Sequence, residues 1–110
     1  MSDPEAQLAR LQRIHRSTHL LKEGGNPVAL LPGFAFRAAG RIDTMDLLLV
    51  PWNHSGYMTR LFFERALTHR GQNWRSHRVV ERTWWTPSYS DVASTLPWHE
   101  MLCAHLRSVA

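Results

Sequence analysis

The stretch Ile42-Asp43-Thr44-Met45-Asp46-Leu47-Leu48-Leu49-Val50-Pro51 decides how this chain folds. Its apolar density from Met45 to Val50 fits a central strand covered on both faces better than an edge. Pro51, with Trp52-Asn53-His54-Ser55-Gly56, then breaks it. Beyond the break, Tyr57 to Phe63 reads as a further strand, with Leu61, Phe62 and Phe63 supplying bulk. On the other side, Lys22-Glu23-Gly24-Gly25-Asn26-Pro27 is a turn between Thr18–Leu21 and Val28–Leu31, two short stretches that pair as an antiparallel hairpin. Pro32-Gly33 separates that hairpin from the central strand.

Helical signals flank this core. From Ser2 to His15, Ser2 and Glu5 stand at capping-box spacing, Pro4 suits a first turn, and Leu8, Leu11 and Ile14 share one face. At the other end Pro97 suits a first turn, and Trp98, Met101, Leu102, His105, Leu106 and Val109 trace one stripe. Thr68 to Pro87 has neither period, carries Trp74, Trp84 and Trp85 among Arg and His, and reads as an ordered irregular region of the kind that carries function. The order helix, meander, structured loop, helix predicts an α+β fold with the sheet flanked by helices.

With 110 residues and 44% apolar content, the chain has material for one domain over 1–110. Cys103 is the sole cysteine, so no internal disulfide can form and a reducing compartment is expected. No apolar run approaches the ~20 residues of a membrane-spanning helix. The opening Met-Ser-Asp-Pro-Glu is acidic and leads into no secretory signal, which points to the cytoplasm. The formal charge of +4 is concentrated, since Arg60, Arg65, Arg70, Arg75, Arg78 and Arg82 fall in one stretch with His69 and His77. That stretch reads as a docking surface for an acidic partner or as a solvated face. A nucleic-acid reading rests on charge and interleaved aromatics alone.

Several landmarks carry a resemblance over nearly the whole chain: Leu31-Pro32-Gly33-Phe34, Asp46-Leu47-Leu48-Leu49-Val50-Pro51, Tyr57-Met58 with Phe62-Phe63, Asn73-Trp74-Arg75-Ser76-His77, and Trp85-Thr86-Pro87. In this order they resemble the prokaryotic ubiquitin-conjugating (UBC-like) family E. The resemblance implies a helix, a four-stranded antiparallel meander, an active-site loop and further helix. It also implies a ubiquitin-like modifier and a ubiquitin-activating-like enzyme as partners. The expected function is that of an acyl carrier in a bacterial ubiquitination-like pathway. No Gly-rich phosphate loop is present, so no nucleotide cofactor is expected and adenylation falls to the activating enzyme.

In ordinary conjugating enzymes a His-Pro-Asn motif precedes the catalytic cysteine, and a Trp-Ser-Pro motif follows it by about eight residues. Trp85-Thr86-Pro87 is similar to the second motif, and counting back eight or nine residues reaches His77 and Ser76, with no cysteine near. His69 and Asn73 stand where the first motif would, although Arg70 follows His69. Acyl transfer needs a nucleophile and a donor to the oxyanion. The expected roles are Ser76 as an oxyester-forming nucleophile, His77 or His69 as its base, and Asn73 as the oxyanion donor. Neighbouring side chains in an extended segment point to opposite faces, so His77 serves Ser76 only if the chain bends there. The alternative is that Ser76 and His77 only satisfy backbone groups. Trp74, Arg75 and Arg78 are the expected partner contacts, with Trp85 and Trp98 assigned to the core. Cys103 falls about 140° from Trp98 on the final helix and reads as a small buried or half-buried hydrophobe rather than a nucleophile. The histidines complete no metal-ligand pattern. The competing functions are a non-catalytic scaffold of the same fold and, on charge alone, a small nucleic-acid-binding domain.

Overall fold

Asp3 opens the first helix by accepting the Glu5 amide through its side chain at 3.2 Å, and Pro4 occupies the first turn, where its missing N–H costs nothing. The computed structural model describes residues 3–67, 73–89 and 91–110, so Ser2 of the expected capping box lies outside the described residues. Helix α1 (Pro4–Ile14) is followed by strands β1 (His19–Glu23), β2 (Asn26–Ala38), β3 (Arg41–Val50), β4 (Arg60–Phe63), β5 (Trp74–Val79) and β6 (Arg82–Pro87), then helix α2 (Trp98–Arg107). The architecture is α+β: one antiparallel sheet in the order β1-β2-β3-β4-β6-β5, with two helices.

Two expectations change here. The stretch from Thr68 to Pro87 is not irregular where it is described, because Trp74–Val79 and Arg82–Pro87 form a hairpin. Through the Phe63–Trp85 pair this hairpin joins β4 by its second strand, making six strands rather than four and leaving β5 outermost. Alternation hides in this hairpin because both faces carry tryptophan, and a period-two reading needs one polar face.

The long strand β2 also runs through the expected break at Pro32-Gly33. Leu31 pairs with Leu47 but Phe34 pairs with Met45, so three residues of β2 span two of β3. This is a β-bulge. The extra residue resets the phase, so that Leu31, Phe34, Phe36 and Ala38 all join one buried cluster despite their uneven spacing. Gly33 sits at φ +57 and donates its N–H to Asp46 Oδ1 at 2.8 Å. Asp46 in turn holds Arg82 Nη1 at 2.9 Å, tying the bulge to β6.

The sheet has two apolar faces. Both helices cover the first, where Leu11, Met101, Leu102 and Trp98 pack with Ala29, Leu31, Leu47, Leu49, Leu61 and Phe63. Of the expected α1 stripe, Leu11 is buried, Leu8 is half-buried and Ile14 is 50% exposed. Gln7 takes the buried place instead and accepts the Trp98 amide at 3.0 Å, satisfying a helix-start donor that Pro97 has no side chain to cap. On α2, Leu106 is half-buried, packed against the same cluster.

The second face holds Val28, Leu48, Val50, Phe62, Val79 and Trp84. These six are buried without a helix over them, because the sheet coils. Glu23, at one corner of the sheet, accepts the Val80 amide at 2.8 Å from the diagonally opposite corner. Trp52 closes the face further, donating its indole N–H to Pro27 O at 2.8 Å. No helix among the described residues is long and apolar enough to cross a membrane.

Candidate functional site

Strand β5 carries most of the residues singled out in the sequence. It is extended, with Ser76 opposite Trp85 and His77 opposite Trp84. The chain does not bend between Ser76 and His77, so their side chains lie on opposite faces. Ser76 is exposed on the helix-bearing face, and His77 turns to the concave face beside Phe62. Asn73 is exposed just before the strand, where its carbonyl accepts the Ser88 amide at 3.0 Å. His69 lies outside the described residues. Arg75 and Arg78 are exposed on opposite faces of the same strand.

The tryptophans sort differently from expectation. Trp84 is the fully buried one of the hairpin, donating to Val79 O at 3.1 Å beneath the Arg82 guanidinium. Trp85 is half-buried. Trp74 packs edge-on against Phe63 at 5.3 Å and leans on the main core cluster. Cys103 is exposed on α2 rather than buried, at the rim of a groove of about 320 Å³ lined by Phe34, Phe36 and Leu106. The helix stripe turns Met101, Leu102 and His105 inward, and its outer side is left to Cys103.

A second group of residues gathers on the concave face around His77. His54 and Tyr57 end a two-residue turn through Ser55 and Gly56, both at positive φ, with reciprocal backbone hydrogen bonds of 2.9 and 3.0 Å. This turn lays Tyr57 over the Arg60 guanidinium, 3.9 Å from carbon to ring centre. Arg60 Nη1 donates to His77 Nε2 at 3.0 Å. An arginine cannot accept, so His77 holds its own proton on Nδ1 and is neutral. His54 stands edge-on to His77 at 5.4 Å and to Phe62 at 5.3 Å.

Electrostatics reinforce this state. Burial, followed by the nearby Arg60 and Arg75, lowers the pKa of His77. Burial, then His77 and Arg60, lowers that of His54 against an opposing pull from Glu23. The Ser88 hydrogen bond, and then Arg60, draw the Tyr57 phenol below its ordinary value. Arg60 is only 3% exposed, and its Nε has no hydrogen-bond partner among the described residues. The sequence signal for this group was Arg60 itself, a charge standing two residues from Phe62 and therefore on the same strand face.

On the opposite face, His105 is 4% exposed. Thr59 Oγ1 donates to Val92 O at 2.9 Å, and its single proton is then used, so it accepts His105 Nε2–H, also at 2.9 Å. Burial first, and Arg60 second, push the His105 pKa down to about 4. His105 is a neutral structural strut.

No family model, curated protein or solved structure matches this chain.

Proposed function

We propose that this chain is a UBC-like binding module of a bacterial ubiquitination-like pathway, docking a ubiquitin-like modifier or its activating enzyme along strand β5. The observation that carries this reading is the edge of β5 that no described strand pairs. That strand pairs only with β6 among the described residues, and Arg75, Ser76 and Arg78 are exposed along it. An open edge offers unpaired N–H and C=O groups to an extended segment, and flanking arginines favour an acidic one. Trp74, anchored on the core, stiffens the start of the strand.

The second reading is covalent carriage, with Ser76 taking the modifier C-terminus as an oxyester. Its exposed hydroxyl and its spacing from Trp85-Thr86-Pro87 favour this. Against it, His77 lies on the other side of the strand, so among the described residues none of the expected bases shares the face of Ser76, and a serine hydroxyl needs a proton acceptor to attack.

One experiment separates the two. The protein is incubated with modifier, activating enzyme and ATP, then analysed on denaturing gels and by native binding. The binding-module reading expects a complex under native conditions and no covalent adduct. Replacing Arg75 and Arg78 by Glu should weaken that complex by roughly tenfold or more through like-charge repulsion with an acidic partner. An adduct that resists thiol reductant, is cleaved by hydroxylamine and vanishes in Ser76→Ala establishes the acyl carrier instead. An adduct lost only in Cys103→Ser moves the chemistry to α2, and no complex with either protein overturns the pathway assignment.

A further inference from the structure

Arg60 is a buried cation without a counterion. The chain has nine acidic residues, and all nine lie among the described ones. Asp43, Asp46, Glu64 and Glu100 pair with Arg65, Arg82 and His99, and the Glu23 carboxylate accepts the Val80 amide. None forms an ion pair with Arg60. What contacts the guanidinium is Tyr57, through its ring face and its phenol oxygen, and the lone pair of neutral His77. Both are weak substitutes for a negative charge. Removing a lone cation from water is costly, and buried charges are ordinarily paired. Its Nε is also an unmet donor among the described residues.

The surroundings add positive charge and donors. Arg75 projects from β5 on the same face as His77 and is exposed. His54 and Tyr57 are half-exposed on their short turn, with the Ser88 hydroxyl bonded to the Tyr57 phenol. Glu23 acts on His54 only at long range.

We propose that this side-chain cluster on the concave face binds a single oxyanion, a carboxylate or phosphate group, between Arg60, Arg75, His77, His54 and Tyr57. The two arginines supply the charge, and a guanidinium fork matches two oxygens of either group. The imidazole and phenol donors orient it. Bound anion favours the protonated imidazolium of His77, which exchanges its accepted hydrogen bond for a second donated one. Binding therefore strengthens as pH falls through the range in which His77 and His54 take up protons, with Arg60, Arg75, Tyr57 and Glu23 as the other charged or titratable groups facing them. The site shares Arg75 with the β5 edge, but it is assigned from the buried charge of Arg60 and does not depend on the pathway proposed above.

Isotope-labelled protein titrated at low salt, with the Arg60 Nε–H and the His54 and His77 imidazole resonances followed by NMR, tests this. One arm uses inorganic phosphate, one the peptide Ala-Gly-Gly with a free C-terminal carboxylate, and one the same peptide as its C-terminal amide. The expected result is a saturable shift of these resonances with phosphate or with the acid peptide. It should weaken with added salt and fall by about tenfold in Arg75→Gln and in His77→Gln, two positions that are not fully buried. Saturation by phosphate alone identifies a phosphate site, and saturation by the acid peptide identifies a carboxylate site. Equal binding of the amide, no saturable shift with either anion, or unchanged affinity in both variants overturns the proposal.

Discussion

Val80 and Glu81 turn the β5–β6 hairpin with φ values of +46 and +63, a pair of left-handed conformations that a two-residue hairpin of this hand requires. The other hairpin turns meet the same demand with glycine in at least one central position: Gly24-Gly25, Ala39-Gly40 and Ser55-Gly56. A β-branched residue at positive φ is strained. Glu23 accepting the Val80 amide is what holds it there, and Val80 also packs against the second core cluster. Glu81 is exposed and has no such compensation. Glu81→Gly should therefore raise stability by about 1 kcal/mol, read as a higher urea midpoint at constant slope. Unchanged or lower stability would mean that the turn is not strained at that position. Glu23→Gln keeps an acceptor but loses the charge, and should cost less than Glu23→Ala in the same measurement.

At the scale of elements, the bulged strand β2 is where sequence reading and structure part for a definable reason. A strand is recognised by alternation, and one inserted residue moves the rest of the strand out of phase. Leu31 and Phe34, three apart, cannot share a face of a regular strand, so Pro32-Gly33 reads as a terminator. The bulge depends on Asp46, the same residue that interrupts the apolar run of β3. The Gly33 hydrogen bond and the Arg82 ion pair are both partly exposed, which limits their worth. Asp46→Ala should cost about 1–2 kcal/mol, with the loss shared by Arg82→Ala because the two act through one contact. Costs that add fully in the double variant would show that the contact is not shared. The central strand was legible from its apolar density, the first hairpin from its turn residues, and both helices from their first-turn prolines and apolar stripes, although the stripe of α1 misplaced Ile14 and missed Gln7. The β5–β6 hairpin was not, since Trp74, Trp84 and Trp85 place bulk on both faces. The candidate cluster was legible only in part: His77 was singled out for its neighbour Ser76, whereas its actual partners, Arg60 and His54, come from a different strand and turn, and sequence spacing carries no information about that meeting.

For the whole molecule, burial on both faces of the sheet keeps three histidines neutral, and that sets how the fold responds to acid. His105 has its pKa lowered from 6.5 to about 4 by burial and then by Arg60, and burial also lowers those of His54 and His77. A base with a depressed folded pKa is protonated first in the unfolded chain, so the unfolded state binds more protons between the two values and stability falls as pH falls. For His105 the effect is absent above the unfolded value near 6.5, grows down to about 4, and then levels off. Its full size is about 3 kcal/mol, taken as an upper bound, against a total of roughly 5–15 kcal/mol for an ordinary domain. Asp46 extends the decline. Burial raises its pKa, but the Gly33 amide and Arg82 outweigh this and lower it below 3.8, so its contribution is present above that value and disappears as pH drops through the folded one. Stability should thus be greatest near neutral pH and decrease steadily into acid. His105→Gln provides the control, because a glutamine amide can still donate to Thr59 but cannot titrate. Urea unfolding of both proteins between neutral pH and pH about 4.5 should show the variant with the shallower dependence, by up to about 1.4 kcal/mol per pH unit below pH 6. Parallel curves for the two proteins would remove His105 as the buried titrating group and leave the acid sensitivity to the concave-face histidines.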